Sequence, residues 1–300
     1  MLRNFQDIRE AARKEGKKRI VLTPSGPEGG PEALYDAVRE GWVTPVFIGE
    51  RSAADKTLRE KGFSAHDFEI ISEQDPRKCV MLALDMVRGK KADIVMQGTM
   101  ENQLFLDLVL DREKGLMQGR VASFVSIFDP PTLDRLTMIT DAYINNNPSI
   151  TEKIAITENA IKLARVLGIG SPKIAALSAI EQVNPAIPST MDAAILSKMA
   201  ERKQFGDVII EGPLDIDCAV SGKAAVRKGV QSSVTGQVDI YLVPNVEAGY
   251  LTAQISVFIA GMPMAGVLMG TSHPVIIHVP ITSGENKLVE IALAVLLSGR

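Results

Sequence analysis

The stretch Ala92-Asp93-Ile94-Val95-Met96-Gln97-Gly98 is a run of apolar residues that ends in a polar, glycine-containing turn. The apolar part, residues 92–96, has the length of a buried β-strand, and Gly98 is typical of the turn that follows one. The preceding segment, residues 75–88, has the apolar spacing of an amphipathic helix. A helix followed by a buried strand is the repeating unit of an α/β protein.

The same alternation continues in both directions from this stretch. Further strands are predicted at residues 19–23, 44–48, 121–128, 136–139, 173–177, 208–210, 240–243 and 275–279. Further helices are predicted at residues 31–40, 150–167, 191–203, 248–260 and 285–297, and a loop at residues 25–31. Because long helices separate the strands, we expect right-handed crossovers and mainly parallel sheets with helices on both faces.

The length of 300 residues exceeds the usual size of a single hydrophobic core. We therefore expect two α/β lobes with a cleft between them. The Pro130-Pro131 pair, which follows the predicted strand 121–128, is the best candidate for the hinge.

Composition excludes several classes of protein. The formal net charge is −3 and no basic face is visible, so nucleic acid is not an expected partner. Cys79 and Cys218 are far apart, which argues against a zinc site or a disulfide and favours reduced, buried thiols. The N-terminus lacks the apolar core of a signal peptide, and the most apolar region, residues 255–281, is broken by Gly, Pro and His. We expect a cytoplasmic protein without a membrane span.

Polar turns follow many of the predicted strands. In open α/β sheets, ligands bind beyond the carboxyl ends of the strands, so these turns are the candidate site. The polar residues that they carry include Gln97, Thr99, Asp141, Ser189, Asp217, Asn245, Thr282, Ser283 and Glu285. Taken singly, most of these residues also have a structural interpretation, whereas several polar turns on one edge of a sheet favour a binding site.

The structural interpretations are specific. Residues 188–190 could cap a helix that begins at Met191, and Asp215 could cap the helix that follows it. Thr282 and Glu285 have the spacing of a capping box, with Thr282 as the N-cap.

Common catalytic motifs are absent. The sequence contains no GxSxG, no GxGxxG and no GxxxxGK[ST], so hydrolase, dinucleotide and P-loop interpretations are weak. The three histidines, His66, His273 and His278, lack metal-ligand spacing, and no metal or resident cofactor is expected. His278 lies in an apolar run, which predicts a core or interface residue.

Read together, the turns resemble the phosphate butyryltransferase branch of the phosphate acetyl/butyryltransferase family. The matching stretches, found in order over roughly the whole chain, are ADIVMQG (92–98), GLMQGR (115–120), NPAIPSTMDAAILSKM (184–199), EGPLDID (211–217), PNVEAG (244–249) and GTSHPV (270–275). The resemblance implies an isocitrate/isopropylmalate dehydrogenase-like fold with an interlobe cleft. It places one lobe at residues 1–132 plus 271–300 and the other at 133–270.

The resemblance also implies a function: transfer of a short acyl group, butyryl or acetyl, between coenzyme A and inorganic phosphate without a metal, by a homodimer or larger homo-oligomer. Acyl-CoA and phosphate are then the small-molecule substrates. The implied catalytic residues, which handle the thiol, are Ser283 and Glu285. The implied substrate-binding residues are Gln97, Thr99, Arg112, Arg120, Asp141, Ser189, Asp217, Asn245 and Thr282, with Arg112 or Arg120 near phosphate.

The chain departs from the family pattern at several positions. Val279-Pro280 stands where relatives carry Ser-Arg, and Gln97, Asp107 and Met117 stand at basic positions. Phe124 and Tyr250 replace polar residues, the second of them an Asn. Because most of these changes remove positive charge from a phosphate site, two alternatives stay open: a member that binds coenzyme A without phosphate transfer, or one that uses another acceptor.

Overall fold

The computed structural model describes residues 1–25 and 32–299. The helices are α1 (Phe5–Ala12), α2 (Glu32–Arg39), α3 (Arg51–Glu60), α4 (Pro76–Arg88), α5 (Asn102–Val109), α6 (Ile150–Val166), α7 (Pro188–Glu201), α8 (Ile216–Val220), α9 (Gly222–Arg227), α10 (Val246–Phe258) and α11 (Gly284–Ser298). The strands are β1 (Lys18–Ser25), β2 (Val43–Gly49), β3 (Glu69–Ser72), β4 (Ile94–Gln97), β5 (Ser123–Phe128), β6 (Thr137–Thr140), β7 (Lys173–Leu177), β8 (Ile209–Leu214), β9 (Ile240–Leu242), β10 (Met264–Met269) and β11 (Val275–Ile276). The loop predicted at 25–31 falls, apart from Ser25, outside the described residues.

The chain divides into two compact units. We call Phe5–Ala122 together with the chain from Gly270 onward the terminal unit, and Met1–Asn4 together with Ser123–Met269 the middle unit. The lobe limits predicted from the sequence, and the cleft between the lobes, stay predictions.

In the terminal unit, the strands run in the order β3-β2-β1-β4-β11 and all neighbours are parallel. The central strands are mostly buried and rich in Ile, Val and Leu, as expected for a parallel sheet covered by helices. Helix α11 packs against α1 and α2 and is buried along most of its length. The carboxyl ends of β4 and β11 lie side by side.

In the middle unit, the order is β10-β5-β6-β9-β7-β8. Strand β5 is antiparallel to both β10 and β6, whereas β6, β9, β7 and β8 are parallel neighbours. The carboxyl ends of these four strands therefore share one edge, and the turns that follow them carry the predicted polar residues. The prediction of mainly parallel strands alternating with helices is confirmed.

Local sequence signals explain where several helices begin. Asp75 caps α4 by accepting a 2.9 Å hydrogen bond from the N–H of Arg77, and Pro76 is the first helical residue. Helix α6 begins with a capping box formed by Ser149 and Glu152. These signals are local, and the helix predicted at 150–167 agrees with α6 to within one residue.

Several predicted boundaries are wrong, among them the end of the strand predicted at 208–210, which runs to Leu214. The helix expected from Met191 begins at Pro188, with Ile187 as its N-cap and no capping side chain. The strand expected at 275–279 ends at Ile276. The early end of β11 has a cause that is distant in sequence: side chains of another segment bind the backbone of His278, as described below. Among the described residues, no helix combines the length and the apolar character needed to cross a bilayer.

Candidate functional site

At the carboxyl end of β4, Gln97 is the centre of a buried polar network. Its Nε2 donates to the carbonyl of Met100 at 2.8 Å and to Oδ1 of Asn102 at 2.7 Å, and its Oε1 accepts from the N–H of His278 at 2.7 Å. Asn102 in turn donates to the carbonyl of His278 at 2.8 Å. The backbone N–H and carbonyl of His278 thus bind the side chains of Gln97 and Asn102 instead of a neighbouring strand. This explains why β11 ends at Ile276, two residues before His278.

Of the two alternatives predicted for His278, a core residue is wrong and an interface residue stays a prediction. Its side chain is exposed rather than part of the core. Burial lowers the pKa of the imidazole, and the positive charge of Lys287 acts in the same direction. An exposed, neutral imidazole therefore stands at the carboxyl end of β11.

The N-terminus of α11 is capped by Ser283, whose Oγ accepts a hydrogen bond from the N–H of Asn286 at 3.3 Å. The predicted capping box with Thr282 as N-cap is therefore wrong by one residue. The hydroxyl of Thr282 instead donates to Glu290 at 3.1 Å. Glu285 lies in the first turn of the helix and is exposed.

Glu290 belongs to a buried ion pair that sequence analysis missed. Lys287 Nζ donates to Oε2 of Glu290 at 2.5 Å and to the carbonyl of Ile277 at 2.9 Å. Both side chains are almost completely buried, at 9% and 2% exposure. The signal was a Lys and a Glu three residues apart in an otherwise apolar helix, a spacing that brings side chains together. The pair holds α11 against the chain that follows β11.

Two arginines lie in the loop between α5 and β5. Arg112 donates to the carbonyl of Arg120 at 2.7 Å, so the two residues are adjacent, and both are exposed. In the parts of the chain that the structure describes, neither guanidinium pairs with a carboxylate. The same loop pairs with the chain after β10, because the N–H groups of Gln118 and Gly119 both donate to the carbonyl of Gly270 at 3.1 Å.

In the middle unit, Asp141 follows β6 and is 4% exposed. Its carboxylate accepts five N–H hydrogen bonds: from the backbones of Phe124, Tyr143, Ile144 and Asn145 and from the side chain of Asn145. Burial raises the pKa of Asp141, and these hydrogen bonds act against that shift. The carboxylate therefore holds the turn after β6 in place, and its direct contact with a substrate stays a prediction.

Asn245 and Ser189 occupy the neighbouring turns. Asn245 caps α10 by accepting from the N–H of Ala248 at 2.9 Å. The hydroxyls of Ser189 and Ser178 are 2.8 Å apart, which links the first turn of α7 to the end of β7. Lys153 and Asp192 form a largely buried ion pair between α6 and α7, with Nζ and Oδ2 2.7 Å apart.

Lys228 is the centre of an acidic cluster formed by the turns after β7 and β8. Its Nζ binds Glu181 at 2.7 Å, Asp217 at 2.8 Å, and Asp215. The hydrogen bond from Lys228 is the main cause that lowers the pKa of Glu181 to about 2. Asp215 also caps α8 by accepting from the N–H of Cys218, as predicted.

The same cluster has the atoms to hold a cation, since ligand atoms of Glu181, Asp215, Asp217 and Cys218 all lie within 4.8 Å of one another. The ammonium of Lys228 already binds three of these groups. A metal ion would therefore have to displace a cation that the chain itself provides. Burial is the main cause that raises the pKa of the Cys218 thiol to about 12, which disfavours the thiolate that soft metals require.

The predicted site residues are thus distributed over both units. Gln97, Thr99, Arg112, Arg120, Thr282, Ser283 and Glu285 belong to the terminal unit, and Asp141, Ser189, Asp217 and Asn245 to the middle unit. Thr99 contacts the end of β1 through a 3.4 Å hydrogen bond from its hydroxyl to the carbonyl of Pro24. The roles of all these residues toward substrate stay predictions. Polar residues that the sequence analysis did not single out include Asn102, Lys228 and the ion pairs Lys153–Asp192 and Lys287–Glu290.

The chain is similar to known proteins over its full length. A family described as "Phosphate acetyl/butaryl transferase" matches residues 59–295. The chain is 36% identical over 299 residues to the phosphate butyryltransferase of Clostridium acetobutylicum, with 100% of this chain and 99% of that protein aligned. It is 33% identical over 290 residues to the phosphate acetyltransferase of Thermotoga maritima, with 97% and 98% aligned. The phosphotransacetylase structure from Streptococcus pyogenes, 20% identical, shares the fold with a TM-score of 0.81 over 98% of both chains.

The fold and these similarities define an α/β enzyme of the acyltransferase class. The chain belongs to the phosphate acetyl/butyryltransferase family. The family, the α/β fold and the class of enzyme predicted from the sequence are confirmed.

Proposed function

We propose that this chain transfers a short acyl group, butyryl or acetyl, between coenzyme A and inorganic phosphate. In the forward direction a phosphate oxygen attacks the thioester carbonyl, the C–S bond breaks, and the proton of the phosphate passes to the departing thiolate. The products are an acyl phosphate and coenzyme A. The observation that carries the proposal is the 36% identity to a phosphate butyryltransferase along the entire chain.

The phosphate side of the reaction requires cations. Charge-assisted hydrogen bonds to a dianion are strong, and arginine presents several donors in a planar fork. Arg112 and Arg120 fit this need, because they are adjacent, exposed and not paired with carboxylates in the described parts of the chain. We assign them to phosphate binding.

The thiol side requires a group that stabilises the departing sulfur. Ser283 uses its Oγ as the acceptor for the N–H of Asn286, which leaves its hydroxyl hydrogen to donate to a thiolate. Glu285, exposed in the first turn of α11, is the candidate for handling the thiol proton. Both roles belong to the proposal.

The active species is a homodimer or larger homo-oligomer, and one surface of the middle unit supports this part of the proposal. Helix α10 carries Leu251, Ile255 and Phe258 at 60%, 54% and 69% exposure. Beside it lies a cavity of about 550 Å³ that is lined mainly by apolar side chains, among them Leu133 and Ile216. Protruding apolar side chains next to an apolar hollow suit a two-fold interface, in which one patch serves both subunits. We propose that a second copy of this chain covers it.

The buried, unpaired thiols of Cys79 and Cys218 support the expectation of a reducing compartment, and we place the protein in the cytoplasm. Coenzyme A enters as a substrate, and no resident cofactor is part of the proposal.

One observation favours a second candidate, a family member that binds coenzyme A without phosphate transfer. Gln97 stands where the family resemblance expects a basic residue, and both N–H groups of its amide are bound within the protein. This side chain therefore brings no charge and no unbound donor to a phosphate.

The test is the initial rate of coenzyme A release from butyryl-CoA at increasing phosphate concentration. We expect the rate to depend on phosphate concentration in a saturable way and the KM for phosphate to be higher in Arg120→Ala. The matched control is Arg77→Ala, because Arg77 is an exposed arginine on α4. A rate that does not depend on phosphate, together with a rise in melting temperature on addition of coenzyme A, would favour the second candidate.

A further inference from the structure

The backbone of His278 is fixed by two side chains, whereas its imidazole has no partner. Gln97 accepts a hydrogen bond from the backbone N–H at 2.7 Å, and Asn102 donates to the carbonyl at 2.8 Å. The side chain is exposed, and in the part of the chain that the structure describes neither ring nitrogen takes part in a hydrogen bond. The network thus holds a polar side chain with free nitrogens at the carboxyl end of β11, the edge of an α/β sheet where ligands bind.

The residues that follow His278 offer few other hydrogen-bond donors. Residues 279–281 are Val, Pro and Ile, which have no polar side chain, and the Val-Pro pair stands where the family resemblance expects Ser-Arg. The hydroxyl of Thr282 already donates to Glu290 at 3.1 Å. Between β11 and α11, the side chains that keep a donor for a ligand are therefore the imidazole of His278 and the hydroxyl of Ser283.

A tight turn separates these two side chains. The N–H of Thr282 donates to the carbonyl of Val279 at 3.1 Å, an i→i+3 bond that brings the two Cα atoms to within about 7 Å. His278 and Ser283 flank this turn, and both belong to the terminal unit. In a thioester the sulfur and the carbonyl oxygen are bonded to the same carbon, so the groups that bind them come from neighbouring positions. Because Ser283 is assigned to the sulfur, His278 is the neighbouring donor for the oxygen.

The imidazole of His278 is a donor that carries no charge. Partial burial lowers its pKa, and the positive charge of Lys287 on α11 acts in the same direction. Lys287 is itself paired with Glu290, and Gln97 and Asn102, which bind the backbone of His278, are neutral. The ring is therefore neutral at pH 7, and one of its nitrogens carries a hydrogen that can be donated. A negatively charged ligand meets no unpaired carboxylate among these contacts.

We propose that the imidazole of His278 donates a hydrogen bond to the carbonyl oxygen of the thioester and to the oxyanion that forms on it. The inference rests on the proposed function and deepens it. As a phosphate oxygen bonds to the carbonyl carbon, the electron pair of the C=O π bond moves to the oxygen, where negative charge develops. When that pair returns, the C–S bond breaks and the thiolate leaves beside Ser283. His278 neither gains nor loses a proton in these steps.

The first test measures the carbonyl bond directly, without phosphate. Butyryl-CoA labelled with ¹³C at the carbonyl is bound to the protein, and isotope-edited infrared spectra report its C=O stretch. A hydrogen bond weakens the C=O bond, so the band is expected at higher wavenumber in His278→Ala than in wild type. The substitution spares the bonds of Gln97 and Asn102, which are made to the backbone. His66→Ala, at an exposed position between α3 and β3, is the matched control and should leave the band unchanged.

The second test measures acyl transfer with phosphate. In His278→Ala we expect kcat to fall about 100-fold, the size of one lost oxyanion donor, with a smaller change in the KM for butyryl-CoA. His278→Gln has a side-chain N–H and is expected to recover part of kcat. Because the neutral ring does not titrate between pH 7 and pH 9, the loss should be the same across this range. Thermal melting verifies that the variants are folded.

A C=O band that is unchanged in His278→Ala overturns the inference, because the donor is then Ser283 or a backbone N–H at the start of α11. A loss of kcat that changes between pH 7 and pH 9 also overturns it, because it indicates proton transfer by the imidazole. If the wild type binds butyryl-CoA but transfers no acyl group, the proposed function fails, while the C=O band still decides the role of His278. A wild type that does not bind butyryl-CoA refutes both.

Discussion

The side-chain carbonyl of Gln97 accepts a 2.7 Å hydrogen bond from the backbone N–H of His278, which links the carboxyl ends of two parallel strands. The same amide donates to Met100 and Asn102, so its donors and its acceptor are all used within the protein. A position that the family resemblance assigns to a cation is thus occupied by a neutral residue that organises the edge of the sheet.

This network predicts a loss of stability when the amide is removed. Gln97→Leu keeps the approximate size of the side chain but leaves buried polar partners unsatisfied. We expect the free energy of unfolding to fall by about 1–3 kcal/mol. The measurement is equilibrium unfolding in urea. Gln103→Leu is the matched control, because Gln103 is exposed on α5 and its side chain donates to Asp107 within the same helix. Equal losses in both variants would contradict a structural role for Gln97.

The acidic cluster predicts a pH-dependent stability. The pKa of Glu181 falls from 4.5 to about 2 in the folded protein, chiefly through the hydrogen bond from Lys228. Its ionised form therefore stabilises the fold fully above its unfolded pKa, and this contribution is lost as the pH falls through the folded pKa. In Lys228→Met the melting temperature should fall at pH 7, and the difference from wild type should shrink as the pH is lowered toward 3.

The control for this prediction is Lys203→Met, since Lys203 pairs with Asp207 at a highly exposed site and should contribute little. A difference between wild type and Lys228→Met that stays constant from pH 7 to pH 3 would show that the stabilisation does not come from these carboxylates.

The apolar surface of α10 predicts an oligomer that a single charged substitution in this surface dissociates. Leu251→Asp places a carboxylate in the proposed interface, where it would be buried without a partner. Size-exclusion chromatography with light scattering should show a dimer or larger species for wild type and a smaller mass for the variant. Leu82→Asp, at a partly exposed position on α4, should keep the wild-type mass. A monomeric wild type would refute the proposed interface.

Much of the fold follows from local patterns. The strand at 173–177 and the helix at 150–167 are predicted almost to the residue, because alternating apolar runs and capping residues act within a few positions. Strand β10 was not separated from the apolar region 255–281, since it is antiparallel and its pairing with β5 spans more than a hundred residues. The early end of β11 likewise depends on Gln97, which is distant in sequence.

The candidate site likewise combines features that local sequence patterns predict with features that depend on distant segments. Turns after strands could be identified as candidates because ligand sites in α/β sheets lie there. The partners of each side chain could not be identified, because they come from distant segments: Asp141 binds Phe124 across two strands, and Lys228 joins turns after β7 and β8. Sequence patterns therefore indicate where the chemistry lies, and tertiary contacts decide which polar groups remain available for it.

The most direct test of the proposed function measures what happens to the phosphate. Butyryl-CoA and inorganic phosphate are incubated with the protein, and ³¹P NMR monitors the phosphate signal while thiol release is measured in parallel. The proposed function predicts a new acyl phosphate resonance that grows in equal amount with free coenzyme A. Release of coenzyme A without an acyl phosphate, or no reaction by a folded protein that binds butyryl-CoA, would contradict it.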